Sequence, residues 1–354
     1  MKISSGLKIA AIYASVFLGA GFASGQELLH YFVGFGRVGL LGIAVAGILF
    51  ALTGWAVLRI CRREGISNYH LLMRHLFGPK LGGLMEGAVV MFLFCLFVAM
   101  LAGAGATGRE AFGIPFTASS LMVGACVFLV LCFGLTGVVK INIILAPFML
   151  LGGIFIGLFT FFMRTSPTFS TFTENPLAIA WLLSAAVYAS YNLVTGIPIL
   201  AATSGMVANK KDAAVGGLLG GGVILILGIC MALPLFLYRA NIINLEIPFL
   251  YIVTRHGGGF RVFRLFYLAV LISAIMTTAA CNAFAVSEWL KTREFGSKIK
   301  IAAWLCGIGV IVSHIGFSNI VAYVYPIFGV LGIFKIIVVL WHGFWYTAKD
   351  GAVI

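Results

Sequence analysis

Apolar residues run through this chain in long stretches, each closed by a cluster of charged, glycine or proline residues. A helix that crosses a bilayer needs about 20 consecutive, mostly apolar residues. Ten stretches meet that length, near 7–34, 39–60, 82–108, 117–135, 138–163, 176–204, 213–238, 262–289, 300–317 and 320–346. The pattern therefore predicts an all-α integral membrane protein with ten transmembrane helices. The connection at about 239–261 contains Leu245–Val253, and its periodicity predicts a short amphipathic helix lying over one mouth of the bundle.

Two stretches are broken by polar and helix-weakening residues. In the first, Gly19-Ala20-Gly21-Phe22-Ala23-Ser24-Gly25-Gln26-Glu27 interrupts the apolar run with three glycines and ends in an amide and a carboxylate. In the sixth, Tyr188-Ala189-Ser190-Tyr191-Asn192 leads through Thr195 and Gly196 to Pro198, which has no backbone donor. These are the first helices of two five-helix halves, 1–165 and 166–354. Interrupted segments at corresponding positions of two halves are the sequence mark of an inverted-repeat secondary transporter with its site near the bilayer midplane.

Composition removes the competing classes. Of 354 residues 62% are hydrophobic and 9% charged, too few charges to wet the surface of a soluble domain and too much apolar content for disorder. The formal charge of +13 does not mark a nucleic-acid face, because the basic residues lie in short clusters between spans. With both termini on one side, the connections there carry 15 Lys and Arg: Lys2, Lys8, Arg59, Arg62, Arg63, Arg74, Lys80, Lys140, Lys210, Lys211, Lys291, Arg293, Lys298, Lys300 and Lys349. The other side carries 7: Arg37, Arg109, Arg164, Arg239, Arg255, Arg261 and Arg264. That bias places both termini in the cytoplasm and the chain in the cell membrane. The N-terminal stretch reads as the first span, since it runs into Gln26 and Glu27 rather than into a small-residue cleavage site. Seven cysteines without a CxxC pair imply neither a zinc site nor a disulfide framework.

The broken segments hold the candidate binding residues. Unwound backbone at membrane depth is tolerated where it is buried in protein or lines a cavity. There, free amides suit a carboxylate and free carbonyls a cation. Gly19, Gly21 and Gly25 would let a ligand approach the main chain, with Ser24, Gln26 and Glu27 beside them and Tyr188, Ser190, Tyr191 and Asn192 opposite. Gly21 and Gly25 also form a small-xxx-small pair, which on its own signals helix contact. Glu27 could face an ammonium group, exchange a proton, or serve as a structural acceptor. In span eight, Ala274, Thr277 and Thr278 put one carbonyl and two hydroxyls on one face, a spacing that suits sodium and equally suits back-bonding to the helix. Lys335 is the other deep charge, and snorkelling or an internal pair competes with a transport role. Gly103–Gly108 matches GxGxxG but ends a membrane helix with no preceding strand, so it does not mark a dinucleotide site. The Gly216–Gly222 cluster reads as close helix packing.

The Gly19–Glu27 motif, ten spans and the Tyr-Ala-Ser-Tyr-Asn stretch resemble the bacterial YkvI-type membrane proteins, grouped with the amino acid–polyamine–organocation superfamily. The resemblance covers essentially the whole chain. It implies a LeuT-type 5+5 inverted repeat with broken helices 1 and 6. It further implies main-chain contacts to substrate from Gly19, Ala20, Gly21 and Phe22, and a sodium site formed by carbonyls of Ser15 and Leu18 with Ala274, Thr277 and Thr278. Proton-coupled members often carry a lysine in span five, where alignment through Val139-Lys140-Ile141-Asn142 puts Met149. Sodium is therefore favoured as the coupling ion, and no other cofactor is implied.

These readings converge on a sodium-coupled symporter of an amino acid or related small amine, working by alternating access. A small bundle would rock against a scaffold of spans three, four, eight and nine. Its partners would be the substrate, the coupling cation and the lipid bilayer, with no nucleic acid and no obligate protein partner. The alternatives are proton coupling through Glu27 and a non-transporting receptor or binding protein. A channel would need a continuous polar lining, and an enzyme a nucleophile and base, which no spacing here supplies.

Overall fold

The computed structural model describes residues 4–17, 19–162, 179–256 and 261–351, and these are almost wholly helical. The first stretch forms three short helices: α1 (Ser5–Ser15), α2 (Ala20–Ser24) and α3 (Gln26–Tyr31). Gly19 is extended, and Gly25 takes φ +81°, a left-handed geometry that glycine adopts without strain and that turns the chain from α2 into α3. The predicted interruption of the first span is thus present at both ends of α2.

The following helices are α4 (Val38–Glu64), α5 (Tyr69–Phe112), α6 (Phe116–Cys132), α7 (Leu135–Phe162) and α8 (Ala180–Thr203). Then come α9 (Lys210–Ala214), α10 (Gly220–Ile242), α11 (Pro248–His256), α12 (Arg261–Thr292) and α13 (Lys298–Ser313). The chain closes with α14 (Phe317–Asn319) and α15 (Tyr325–Gly351). Single π-helical turns join α9 to α10 at Val215–Leu219 and α14 to α15 at Ile320–Val324. Among the described residues six helical segments are long and apolar enough to cross a membrane unaided, and the shorter pieces complete the other predicted spans.

Two differences from the sequence reading have local causes. The third span begins earlier than residue 82, because Tyr69–Phe77 is already helical, capped by the Asn68 side chain on the Leu71 amide at 2.9 Å. Gly78 (φ +75°) and Pro79 then kink the helix into the membrane run. The sixth span is not unwound: α8 continues through Gly196 and Pro198. Its polar side chains serve its own carbonyls, with Asn192 Nδ2 donating to the Tyr188 oxygen at 3.0 Å and Thr195 Oγ1 to the Asn192 oxygen at 2.7 Å.

The helices sort into two groups. One holds α1, α4, α8 and the α9–α10 span, packed on one another; the other holds α5, α6, α12 and α13. Glycines of the π-helical turn and of α10 make the first group tight, since a methyl on Gly217 would overlap the backbone of Gly54 and Trp55, and one on Gly221 that of Ala51. In the second group Gly105 and Gly108 of α5 sit against Phe116, Ser120 and Ser119 of α6, so the GxGxxG stretch is a packing surface. Helix α7 contacts both α10 and α12, and α15 packs on α4, α5 and α8.

Candidate functional site

A cavity of about 380 Å³ lies between the two groups. The broken first span contributes Ser15, Gly19 and Glu27 and α8 contributes Tyr191, Asn192 and Pro198; the second group contributes Phe92 and Met100 from α5 and Thr277, Thr278 and Asn282 from α12. Met149 of α7 and Tyr325 of α15 complete the wall. The lining continues through Ile12, Ile199, Cys281 and Ala285, so the cavity extends toward the end of the bundle where α1 begins and α8 and α12 finish.

The opposite end is closed. Phe249, Ile252 and Val253 of α11 are fully buried, and Phe249 stands so close to Gly25 that an added methyl would lie 2.7 Å from its ring. Tyr31 donates its hydroxyl to the Val321 oxygen at 3.2 Å, and Gln26 Nε2 reaches Ser318 Oγ at 3.1 Å, tying α3 to the start of the last span. Arg239 donates to the Gly34 oxygen at 2.8 Å, and Arg109 pairs with Glu246 at 3.1 Å. Glu246 precedes α11, and its partial burial raises the carboxyl above the usual range while Arg109 works against that rise.

Glu27 is the chemical centre of the cavity. The turn at Gly25 folds α3 back so that the carboxylate lies directly against Gly21, where any side chain would displace it. Its Oε2 accepts the Tyr191 hydroxyl at 2.8 Å, and it is 6% exposed. Tyr191 belongs to a ring cluster with Tyr31, Tyr188, Phe92 and Tyr325, at centroid distances of 4.9–6.1 Å.

Of the residues singled out from sequence, Gly19, Glu27, Tyr191, Asn192, Ser15, Thr277 and Thr278 meet at the cavity. Gly21 backs the Glu27 carboxylate. Others lie elsewhere. Phe22 faces the packing between α2 and its neighbours, and Ala20 is buried. Ser24 caps locally, donating to the Gly21 oxygen and accepting from the Gln26 amide. Ser190 donates to the Gly329 oxygen at 2.6 Å and is a contact between α8 and α15, while Tyr188 packs on Phe32 and Phe50. Ala274 lies beside Phe22 and Met149 behind the cavity. Leu18 falls outside the described residues. Thr277 Oγ1 is 3.4 Å from Met149 Sδ, so the span-five position picked out by alignment does stand beside the threonine pair.

Sequence reasoning missed Tyr325, Asn282 and Phe92. Both Tyr325 and Asn282 line the cavity, and the Tyr325 hydroxyl and the Asn282 Nδ2 are buried with no hydrogen-bond partner among the described residues. Tyr325 did carry a signal: it precedes Pro326 within a span, the same kind of break noted at Pro198, and it directly follows a π-helical turn, a feature frequent at functional sites.

No protein-family model matches the chain. Two Bacillus subtilis (strain 168) proteins are similar along nearly their whole length. The uncharacterized membrane protein YkvI is 26% identical over 337 residues, 92% of each chain, and the uncharacterized protein YyaD is 26% identical over 346 residues, 95% of this chain and 96% of that one. Among solved structures, the inward-facing conformation of Mhp1 superposes with a TM-score of 0.65 at 17% identity, over 94% of this chain and 75% of that one. A Na+-coupled sialic acid symporter in a substrate-bound outward-open state superposes with a TM-score of 0.58 at 13% identity, over 93% and 76%. The chain is an all-helical membrane protein with the LeuT-type fold.

Proposed function

We propose that this protein is a secondary active transporter, a sodium-coupled symporter of an amino acid or related small amine that works by alternating access. The observation that carries the reading is the placement of the cavity between two helix groups, extending toward the end where α1 begins, with α11 packed on α2, α10 and α12 beyond its other end. A bundle of α1–α3, α4, α8 and α9–α10 rocking against α5, α6, α12 and α13 would expose the same side chains to either face in turn. The two halves, 1–165 and 166–354, would supply the pseudo-symmetric elements of that motion. With the termini cytoplasmic, the cavity described here faces inward. Sodium is supported by oxygen donors at the unwound stretch, where Thr278 of α12 faces Gly19, and by the neutral Met149 beside Thr277. The likeness to a Na+-coupled symporter agrees with this choice.

A second reading, proton coupling, is favoured by one feature: among the described residues no basic side chain pairs with Glu27. Purified protein in proteoliposomes separates the two. An inward sodium gradient is expected to drive accumulation of a labelled amino acid or amine. Accumulation under a pH gradient without sodium would favour Glu27 as a proton carrier, and absence of accumulation under both would remove the transporter reading.

A further inference from the structure

Glu27 is the one formally charged side chain among the described residues lining the cavity, and the remaining wall is aromatic, aliphatic or neutral polar. A buried carboxylate without a cationic partner is costly, and a cation brought to it offsets that cost. Beside it stand three rings that also line the cavity. Tyr191 and Tyr325 have centroids 4.9 Å apart, with Phe92 5.8 Å from Tyr325 and 6.1 Å from Tyr191. Tyr191 holds the carboxylate through its hydroxyl, which fixes the charge at the edge of the ring triad. Tyr325 is fully buried beside Tyr191, and its hydroxyl has no hydrogen-bond partner among the described residues. A carboxylate set among aromatic rings is an arrangement suited to an organic cation.

The same geometry disfavours an α-amino acid. Its ammonium and carboxylate share one carbon, so seating the ammonium at Glu27 brings the second carboxylate within a few ångströms of a like charge. No Lys, Arg or His among the described lining residues neutralises it. We infer that the cavity between α1–α3, α8, α5 and α12 binds a small organic amine lacking a carboxylate on its ammonium-bearing carbon, with Glu27 as counter-ion and the rings of Tyr191, Tyr325 and Phe92 packed around that charge. The apolar body of the amine lies on Leu96, Met100 and Met149. This deepens the transport proposal and rests on it for reading the cavity as a substrate site.

The test is the melting temperature of the full chain in detergent and sodium, with matched pairs: 2-phenylethylamine against phenylalanine, and isopentylamine against leucine. At saturation the amines raise it by a few degrees and the amino acids leave it in place. Glu27→Gln weakens amine binding roughly thirtyfold or more. Tyr325→Leu weakens it about two- to thirtyfold, whereas Tyr325→Phe, which keeps the ring, retains most of it. Tyr325→Leu carries the test should Glu27→Gln fail to fold. Shifts by the amino acids but not the amines, shifts by neither, or amine binding that survives folded Glu27→Gln would overturn the inference. Flux is read separately in proteoliposomes. Amine binding without uptake would sink the transporter reading and leave the site, whereas uptake of the amino acids alone would do the reverse.

Discussion

Gly19 and Thr278 face each other across the unwound stretch of the first span, and a methyl group placed on Gly19 would stand 3.6 Å from Thr278 Oγ1. The neighbouring threonine is placed differently. Thr277 Oγ1 donates back to its own helix, 2.9 Å from the Ser273 oxygen and 3.2 Å from the Ala274 oxygen, and is 4% exposed. The sequence treats the pair as equivalent cation ligands; the structure makes Thr278 the one whose oxygen faces the extended backbone at Gly19.

The consequence is an asymmetry between two substitutions. Thr278→Ala is expected to raise the sodium concentration needed for half-maximal stabilisation or uptake about tenfold or more, the loss of one oxygen ligand being worth about 1.4 kcal/mol at that ratio. Thr278→Ser keeps the oxygen and should stay near the parent value. Thr277→Val, which removes a back-bonded hydroxyl, should move it less. Equal sodium dependence in the parent protein and Thr278→Ala would remove Thr278 from the cation site.

Most of the fold was legible because a bilayer imposes a length that hydropathy reports directly, and the first-span break was legible because glycine and polar residues cluster at Gly19–Glu27. The sixth span shows where that reading stops. Asn192 and Thr195 border the cavity, yet their side chains also bond back to carbonyls of α8, which stays helical through Pro198 where the sequence predicts a break. Hydropathy records that a polar group is present and not where its bonds go. Asn282 and Phe92 were out of reach for another reason, and Tyr325 showed only the break at Pro326: the cavity the three share exists only once α5, α12 and α15 converge.

Cys281 offers a native probe of the cavity. It follows Thr278 by less than one turn of α12, lines the cavity and is exposed, whereas Cys61 and Cys306 are buried. In a variant retaining Cys281 alone, a small methanethiosulfonate reagent is expected to label it, and a saturating bound amine to slow labelling several-fold. A labelling rate indifferent to every ligand that raises the melting temperature would place the substrate elsewhere in the molecule.

Lys335 lies outside the cavity, and its surroundings argue for a structural role. It is 3% exposed in α15, its Nζ donates to the Tyr69 hydroxyl at 3.0 Å, and it stands 5.5 Å from the Tyr69 ring centroid. The pair joins α15 to the foot of α5, and among the described residues no carboxylate reaches the ammonium. Replacing a buried charge by an apolar group of similar shape is often neutral or stabilising, whereas removing its partner leaves an uncompensated donor. Lys335→Met should therefore keep or raise the melting temperature and preserve uptake. Tyr69→Phe should lower stability by about 1–3 kcal/mol, and the double variant should recover most of that loss. Loss of uptake in Lys335→Met at an unchanged melting temperature would overturn the structural assignment, because a group that only fastens two helices cannot be removed without cost to the fold and yet stop the cycle.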